Sequence, residues 1–401
     1  MSVGLFLGAG ASYELGMPLV WELTTELKRW LTPNKLRNLN AAWRLQGAGY
    51  PDAVIDDIAR AIVLDEMHYE ALLGYVQTQQ QRAPSLQQDY HEIYIFLVKI
   101  VYYLLQVRHT SNAAYIDESL RCFDGILALA ETNAPLWVFS LNHDLLIECL
   151  ALKGGVALTQ GFTECTSYPL RNEAGIAIGR LPIEILREEV FAERGHAFFG
   201  YGERGINLLK VHGGLDLFTT RDGKDLVRIL PSVPTSVGPI LALELARTSL
   251  AYIDRASGIR VKAGNEIAFE DDKGDMQFLR PTLVTGAFKF EERSQQVLPN
   301  SYIDMLSSYA NHVSMLYCVG YGFGDEHINA VLRKWIEFSA ERRMKIVAPG
   351  VSMPGSLTHM APQIELISSP ASVFFEQFAT SPLTDEERRL KAARESHRHE
   401  F

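Results

Sequence analysis

The stretch GLFLGAGASYELGMP, from Gly4 to Pro18, limits what this chain can fold into more than any other. A short apolar run, Val3 to Leu7, ends in Gly8, and LVWELTTELKRWL after Pro18 has helical spacing, so the opening reads as strand, tight loop and helix. That order is a nucleotide-binding geometry. Two standard phosphate loops nevertheless fail to match. No lysine follows the glycines, as GxxxxGK would require. Gly8 and Gly10 supply the first two glycines of GxGxxG, but Tyr13 occupies the third position. Helical sequence also fills the space where a second strand with a ribose-binding acid would arrive about 20 residues on. The loop is a variant of the dinucleotide-binding type.

From about Pro33 to Asn133 the pattern is helical throughout, with AVIDDIARAIVLDEMHYEALLGYVQ, IYIFLVKIVYYLLQV and YIDESLRCFDGILALAET in succession. Strands resume at Pro135. LWVFSLN, INLLKVHG (Ile206 to Gly213), PTLVTG (Pro281 to Gly286), SMLYCVGYGFG (Ser314 to Gly324) and MKIVAPG (Met344 to Gly350) are short apolar runs ending in polar residues or glycine. Parallel strands covered by helices on both faces read this way. DLLIECLAL is expected as a helix with Asp144 in its first turn, and DEHINAVLRKWIEFSAERR as the crossover of a βαβ unit. Between Leu215 and Arg280 a helix around Pro239 to Tyr252 and a hairpin, EIAFEDDKGDMQFLR, are expected.

The fold class is thus α/β, a Rossmann-like parallel sheet flanked by helices with a large inserted helical subdomain. Residues 1–32 and 134–380 are assigned to the sheet domain, 33–133 to the insertion, and 381–401 to a charged tail expected as a solvated helix. A chain of 401 residues, 47% hydrophobic and 21% charged, supports two such units. The formal net charge of -10 and a pI near 5.6 argue against direct nucleic-acid binding and against an anionic membrane surface. Cys122, Cys149, Cys165 and Cys318 form no CxxC pair, so buried reduced thiols are expected and no metal. The chain opens without a basic n-region or cleavage site, which points to the cytoplasm. The Ile93 to Val107 run carries Lys99 and falls short of the ~20 residues that span a bilayer, so it reads as a buried helix.

GAGAS followed by Gly16-Met17-Pro18, SLNHD (Ser140 to Asp144), KVHG (Lys210 to Gly213) and GYGFGD (Gly320 to Asp325) each fall at the carboxyl end of an expected strand. In an open α/β sheet that edge binds the ligand. In this order the motifs resemble those of the sirtuin family, over roughly Val3 to Pro18 and Pro135 to Gly350. The resemblance implies NAD+ as the ligand and substrate. Gly8, Ala9, Gly10, Ala11 and Ser12 would wrap its pyrophosphate and ribose, with Gly16 and Pro18 in the flexible loop beside them. Asn142 would line the pocket where the nicotinamide ribose reacts, Asp144 would hold the carboxamide, and His212 would be the general base. Ser140 is counted with the cofactor contacts. Gly320 and Tyr321 would begin the loop for the adenosine half, Tyr321 replacing the family's serine, and Asp325 would cap the following helix.

The chain departs from protein deacylases in lacking their zinc module of two CxxC pairs, in reading Leu19-Val20-Trp21-Glu22 after the proline, and in its long helical insertion. It is similar here to the prokaryotic sirtuin-like branch that hydrolyses NAD+ as an antiphage defence. That likeness implies an NAD+ glycohydrolase releasing ADP-ribose and nicotinamide, acting by abortive infection. It also implies a homo-oligomer and a hexameric DNA-translocating ATPase partner of HerA type. A protein deacylase or ADP-ribosyltransferase, and a non-catalytic NAD or ADP-ribose sensor, are the alternatives. Simpler roles stand beside these: a satisfied structural histidine for His212, a strand exit and helix cap for Asn142 and Asp144, plain packing for Tyr321 and His143, and a structural Glu148.

Overall fold

The computed structural model describes residues 2–254, 256–261, 266–271, 273–285 and 301–398. They divide into two compact units. One takes the described residues of Met1–Met17, Arg108–Thr282 and Val297–Phe401, the other those of Pro18–Val107 and Leu283–Gln296.

The first unit is built on a seven-stranded sheet of β1 (Val3–Leu7), β2 (Leu136–Ser140), β3 (Leu158–Thr159), β6 (Ile206–Lys210), β11 (Met315–Val319), β12 (Arg343–Val347) and β13 (Ile364–Ile367). Its order is β13-β12-β11-β1-β2-β6-β3. All pairings are parallel. β2 and β6 are buried at every position, as their largely apolar runs require once helices cover both faces. The covering helices are α7 (Asp124–Thr132), α8 (Leu146–Gly154), α10 (Gly238–Ser249), α11 (Ser301–Tyr309), α12 (Glu326–Glu337) and α13 (Ala371–Glu376), with α6 (Ala113–Ser119) and α9 (Glu188–Arg194) in the connections. α7 packs between α8 and α13, and α11 against α12. α12 joins β11 to β12 as the expected crossover, burying Ile328, Leu332, Trp335 and Ile336 on one face.

A second, antiparallel sheet of β4 (Glu164–Arg171), β5 (Ala177–Leu186), β7 (Leu217–Thr220), β8 (Asp225–Ile229), β9 (Ile267–Glu270) and β10 (Met276–Pro281) runs in the order β4-β5-β8-β7-β10-β9. Of these six strands only the β9–β10 hairpin is expected from the sequence; it pairs Met276 with Glu270. PTLVTG is not a strand. β10 ends at Pro281, and Thr282 turns aside with its N–H and hydroxyl both donating to the Leu217 carbonyl, at 3.3 and 3.1 Å. Gly286 lies outside the described residues.

The second unit holds α1 (Val20–Trp30), α2 (Pro33–Leu45), α3 (Asp52–Ile62), α4 (Tyr69–Arg82) and α5 (Gln87–Ser111), whose residues from Arg108 belong to the first unit. Among the described residues from 18 to 107 there is no strand. Leu36, Ile55, Ile58, Leu73 and Val76 fill its interior, and the Asp57 carboxylate accepts from the Tyr75 and Tyr90 hydroxyls at 2.8 and 3.0 Å. The compact units part after Met17 and Val107, whereas the insertion read from the sequence runs from 33 to 133. No helix of the described residues is long and apolar enough to cross a membrane.

The charged tail forms α14 (Asp385–Arg398), largely exposed but anchored. Thr384 and Glu387 make a reciprocal cap: the Thr384 N–H donates to Glu387 at 2.7 Å and the Glu387 N–H to the Thr384 hydroxyl at 3.2 Å. Glu387 also pairs with Arg121 at 2.7 Å, and Arg388 pairs with Glu376. Lys391 reaches Glu14 at 2.8 Å, where Ser372 donates its N–H and hydroxyl to the same carboxylate at 2.8 and 2.6 Å. Glu14 lies in the glycine loop, which continues after Gly8 as two short 3-10 turns, Ala9–Ala11 and Tyr13–Leu15. Burial works against the Glu14 charge, but Lys391 and Ser372 outweigh it and hold the carboxyl below its usual 4.5. A depressed carboxylate contributes stability above its unfolded value that is lost as pH falls through the folded one. Glu14→Gln is therefore expected to speed hydrogen exchange across α14 at neutral pH, with the wild type converging on it on acidification below 4.5, while β1 and β2 stay protected.

Candidate functional site

The sheet register brings the sequence motifs together. Leu7 pairs with Ser140 on one side and Val319 on the other, and Ser140 pairs with Lys210. The chain therefore leaves four adjacent strands at one level, through Gly8, Leu141, Val211 and Gly320, at the carboxyl edge of the sheet. Chain order reverses direction at β1 and β11, and such a switch point is where α/β sheets hold ligands.

Asn142, Ser12 and Asp144 form one hydrogen-bonded cluster at this edge. Asn142 Nδ2 donates to the Gly8 carbonyl at 2.9 Å and to Ser12 Oγ at 3.1 Å, and the Ser12 hydroxyl donates to Asp144 Oδ2 at 2.5 Å. A carbonyl oxygen only accepts, so the Gly8 contact fixes which end of the Asn142 amide is nitrogen. The opposite atom, Oδ1, accepts from no described residue. Asp144 Oδ1 takes the Leu146 N–H at 3.0 Å. Asp144 thus precedes α8 rather than lying in its first turn, a correction to the sequence reading that follows from this cap-like bond. Ser140 Oγ accepts the Asn142 N–H at 3.1 Å, shaping the same turn from within.

The glycines of the loop have a cause other than ligand approach. Gly8 N donates to the Val319 carbonyl at 3.0 Å, Gly10 N to the Gly320 carbonyl at 2.8 Å and Ala11 N to the Gly8 carbonyl at 2.8 Å, so these three amides shape the loop itself. A Cβ on Gly8 would sit 2.6 Å from Tyr321 Cα, and one on Gly320 2.1 Å from Ala11 N. Gly320 also has φ +67°, which favours glycine. Gly8, Gly10 and Gly320 are therefore required by two loops in backbone contact. Ala9 is exposed in the same turn, and Gly16 closes it at φ +87°. Pro18 is buried and opens the second unit.

His212 is buried, with Nε2 3.4 Å from Asp325 Oδ2. Asp325 caps α12, its Oδ1 accepting from His327 N and Ile328 N at 3.1 and 3.2 Å. Tyr321 lies edge-on to Phe6 at 5.4 Å, and its hydroxyl donates to Asn329 Oδ1 at 2.9 Å and accepts from Asp325 N at 3.3 Å. These contacts hold its ring within the loop. His143 offers its carbonyl to Leu215 N at 2.8 Å.

Two groups that sequence reasoning missed hold this turn from behind. His109, from the end of α5, accepts the Leu145 N–H at Nε2, 3.3 Å away, which leaves Nδ1 as the protonated nitrogen facing Met17 Sδ at 3.2 Å. Burial pulls its pKa down to about 4. Lys210 donates to the Asp144 carbonyl at 2.7 Å. Its signal was present in the sequence, a lysine closing the fully buried run INLLK, since such a charge needs buried partners. Nothing in the helical pattern around His109 singles it out. Among the described residues no group of three or more His, Cys, Asp or Glu could hold a metal ion, and the four cysteines are free.

His109 titrates near 6.5 when unfolded and near 4 when folded, so the unfolded chain binds more protons between those values and stability falls as pH drops through that window. Thermal midpoints from pH 7 to 4 are expected to decline, and His109→Gln, which keeps an acceptor without a titrating ring, to flatten that decline. Gly320→Ala is expected to lower stability by at least ~2 kcal/mol in chemical denaturation, from strained φ and backbone overlap together.

No protein-family model matches the chain, and no curated protein matches it. Solved structures similar to it include a mutant Sir2 homologue in complex with ADP-ribose, at 10% identity and a TM-score of 0.39, covering 94% of this chain and 90% of that one. A mutant Sir2 homologue with 2'-O-acetyl ADP-ribose is similar at 11% identity and 0.40, with the same coverage. A Sir2 homologue in complex with NAD is similar at 11% and 0.39, covering 97% and 90%.

Proposed function

We propose that the chain is an NAD+ glycohydrolase, splitting NAD+ with water into ADP-ribose and nicotinamide. The observation that carries this reading is the fixed Asn142 amide: with Nδ2 held by Gly8 and Ser12, its Oδ1 is the acceptor left at the strand edge where β1, β2 and β6 end beside His212.

The bond between nicotinamide and C1′ of the ribose is already activated, because the pyridinium leaves as a neutral base. No general acid is needed. What the reaction needs is a held leaving group, a positioned water and stabilisation of an oxocarbenium-like transition state. Asn142 Oδ1 is suited to accept from that water or from a ribose hydroxyl, and the Ser12–Asp144 pair fixes the turn around it. His212 is the group to take the water's proton, a role worth roughly 10²–10⁴-fold in rate. Water as the nucleophile accords with the absence from the sequence of the paired CxxC motifs of protein deacylases.

In the cell we read this hydrolysis as the effector step of an antiphage abortive infection, depleting NAD+ once triggered. Such an enzyme has to be silent beforehand, and we assign that control to homo-oligomerisation or to a hexameric DNA-translocating ATPase of HerA type. Purified protein incubated with NAD+ is expected to release nicotinamide without any acylated peptide, and Asn142→Ala and His212→Ala each to lose it by about 100-fold or more. Release that depends on the peptide would favour a deacylase, and binding without release a sensor. Mass photometry with and without the ATPase tests the control; a monomer fully active alone would overturn that part.

A further inference from the structure

Behind the Asn142 turn lies a network of buried charge. The Lys210 side chain is 2% exposed, and its Nζ has three protons to donate, with three acceptors around it: the Asp144 carbonyl at 2.7 Å, Glu148 Oε1 at 2.6 Å and Asp216 Oδ1 at 3.1 Å. Asp216 Oδ2 accepts from Arg228 Nε and Gln160 Nε2, both at 3.2 Å, and Gln160 Nε2 also reaches Glu148 Oε1 at 3.0 Å. Arg228 continues outward to Glu184 at 3.1 Å.

A buried ion network is a poor way to add stability, since apolar residues of like volume often serve as well. Its output here is geometric. One of the three ammonium hydrogen bonds goes to a backbone carbonyl that lies between β2 and α8, outside either element, and a charged donor makes that bond roughly twice as strong as a neutral one. Burial opposes the Lys210 charge, but the Asp216 and Glu148 carboxylates outweigh it, so the group stays an ammonium. Burial pushes Glu148 itself up to about 7 despite its lysine partner.

We propose that Lys210 is a positioning residue: its ammonium, held in place by Glu148 and Asp216, clamps the Asp144 carbonyl and so fixes the turn that presents Asn142 and Asp144. The functional part of this inference rests on the hydrolase reading, while the geometry of the turn can be measured without it. Removing Lys210 alone would strand two buried carboxylates, so the test uses a charge-balanced pair, Lys210→Met with Glu148→Gln, in the full chain. Glu184→Gln, at the outer end of the network and out of reach of Asp144, is the control.

Hydrogen exchange read by mass spectrometry is expected to show the peptide spanning residues 141–147 exchanging about tenfold faster in the double variant, with β2 and β6 unchanged and the control like wild type. For NAD+ cleavage, kcat is expected to fall by about tenfold or more while KM stays within about threefold, the split that lost positioning gives and lost folding does not. Unchanged exchange in a folded double variant overturns the proposal, as does a uniform rise across both sheets. Should that pair fail to fold, Lys210→Met with Asp216→Asn removes the same clamp and is read by the same measure. Faster exchange in a protein whose wild type never cleaves NAD+ would keep the clamp and sink the hydrolase; unchanged exchange in an active hydrolase would do the reverse.

Discussion

The hydrogen bond from the Asn142 amide to the Gly8 carbonyl joins residues 134 apart in sequence, and the rest of the site is organised around it. It demands that β1 and β2 be neighbours with Leu7 level with Ser140, which the parallel register supplies. It demands that the glycine loop keep its shape, which the Gly320 carbonyl and the absence of side chains at Gly8 and Gly10 ensure. It also demands a rigid turn after Leu141, which Ser12, His109 and Lys210 hold from three directions. Each of those requirements involves backbone groups that would be costly to bury unpaired, so the arrangement is specified by hydrogen-bond completeness as much as by apolar packing.

Much of the central sheet was legible because its strands are apolar on both faces. LWVFS, INLLK, MLYCV and MKIV stand out from their surroundings, and each ends where a polar residue or glycine marks the exit. The antiparallel sheet was hidden for the opposite reason. β4 is only partly buried and β5 is exposed over its first four residues, so burial imposes no continuous apolar signal on ECTSYPLR or AIGRLPIEIL. PTLVTG misled because four apolar-to-neutral residues between a proline and a glycine satisfy the same pattern that a loop packed on a buried carbonyl satisfies.

The site was legible in its motifs and illegible in their supports. Asn142, Asp144, His212 and the glycines announce themselves by spacing at strand ends. The structure adds contacts that their spacing does not show: the loop glycines lie against a neighbouring loop, Tyr321 packs on Phe6, and Asp144 accepts from Ser12. His109, Gln160 and Arg228 carry no local signature, because what makes them matter is contact across the fold. The tail was similarly opaque. Its composition reads as a solvated helix, and what ties it down is a handful of ion pairs, among them Lys391 with Glu14 on the glycine loop.

The place of β1 has a consequence for how the chain is made. It precedes every other strand of the sequence yet it sits inside the sheet, and its partners come late: Val3 N is satisfied by Asn133, 130 residues on, and the Ser2 hydroxyl by the His312 carbonyl, 310 residues on. Loop-closure entropy over such separations makes the central pairing slow to form. A ribosome-bound nascent chain therefore carries an apolar strand that stays bare on one edge after β2 has emerged, until β11 follows, the kind of segment that associates with other chains or is shielded by chaperones.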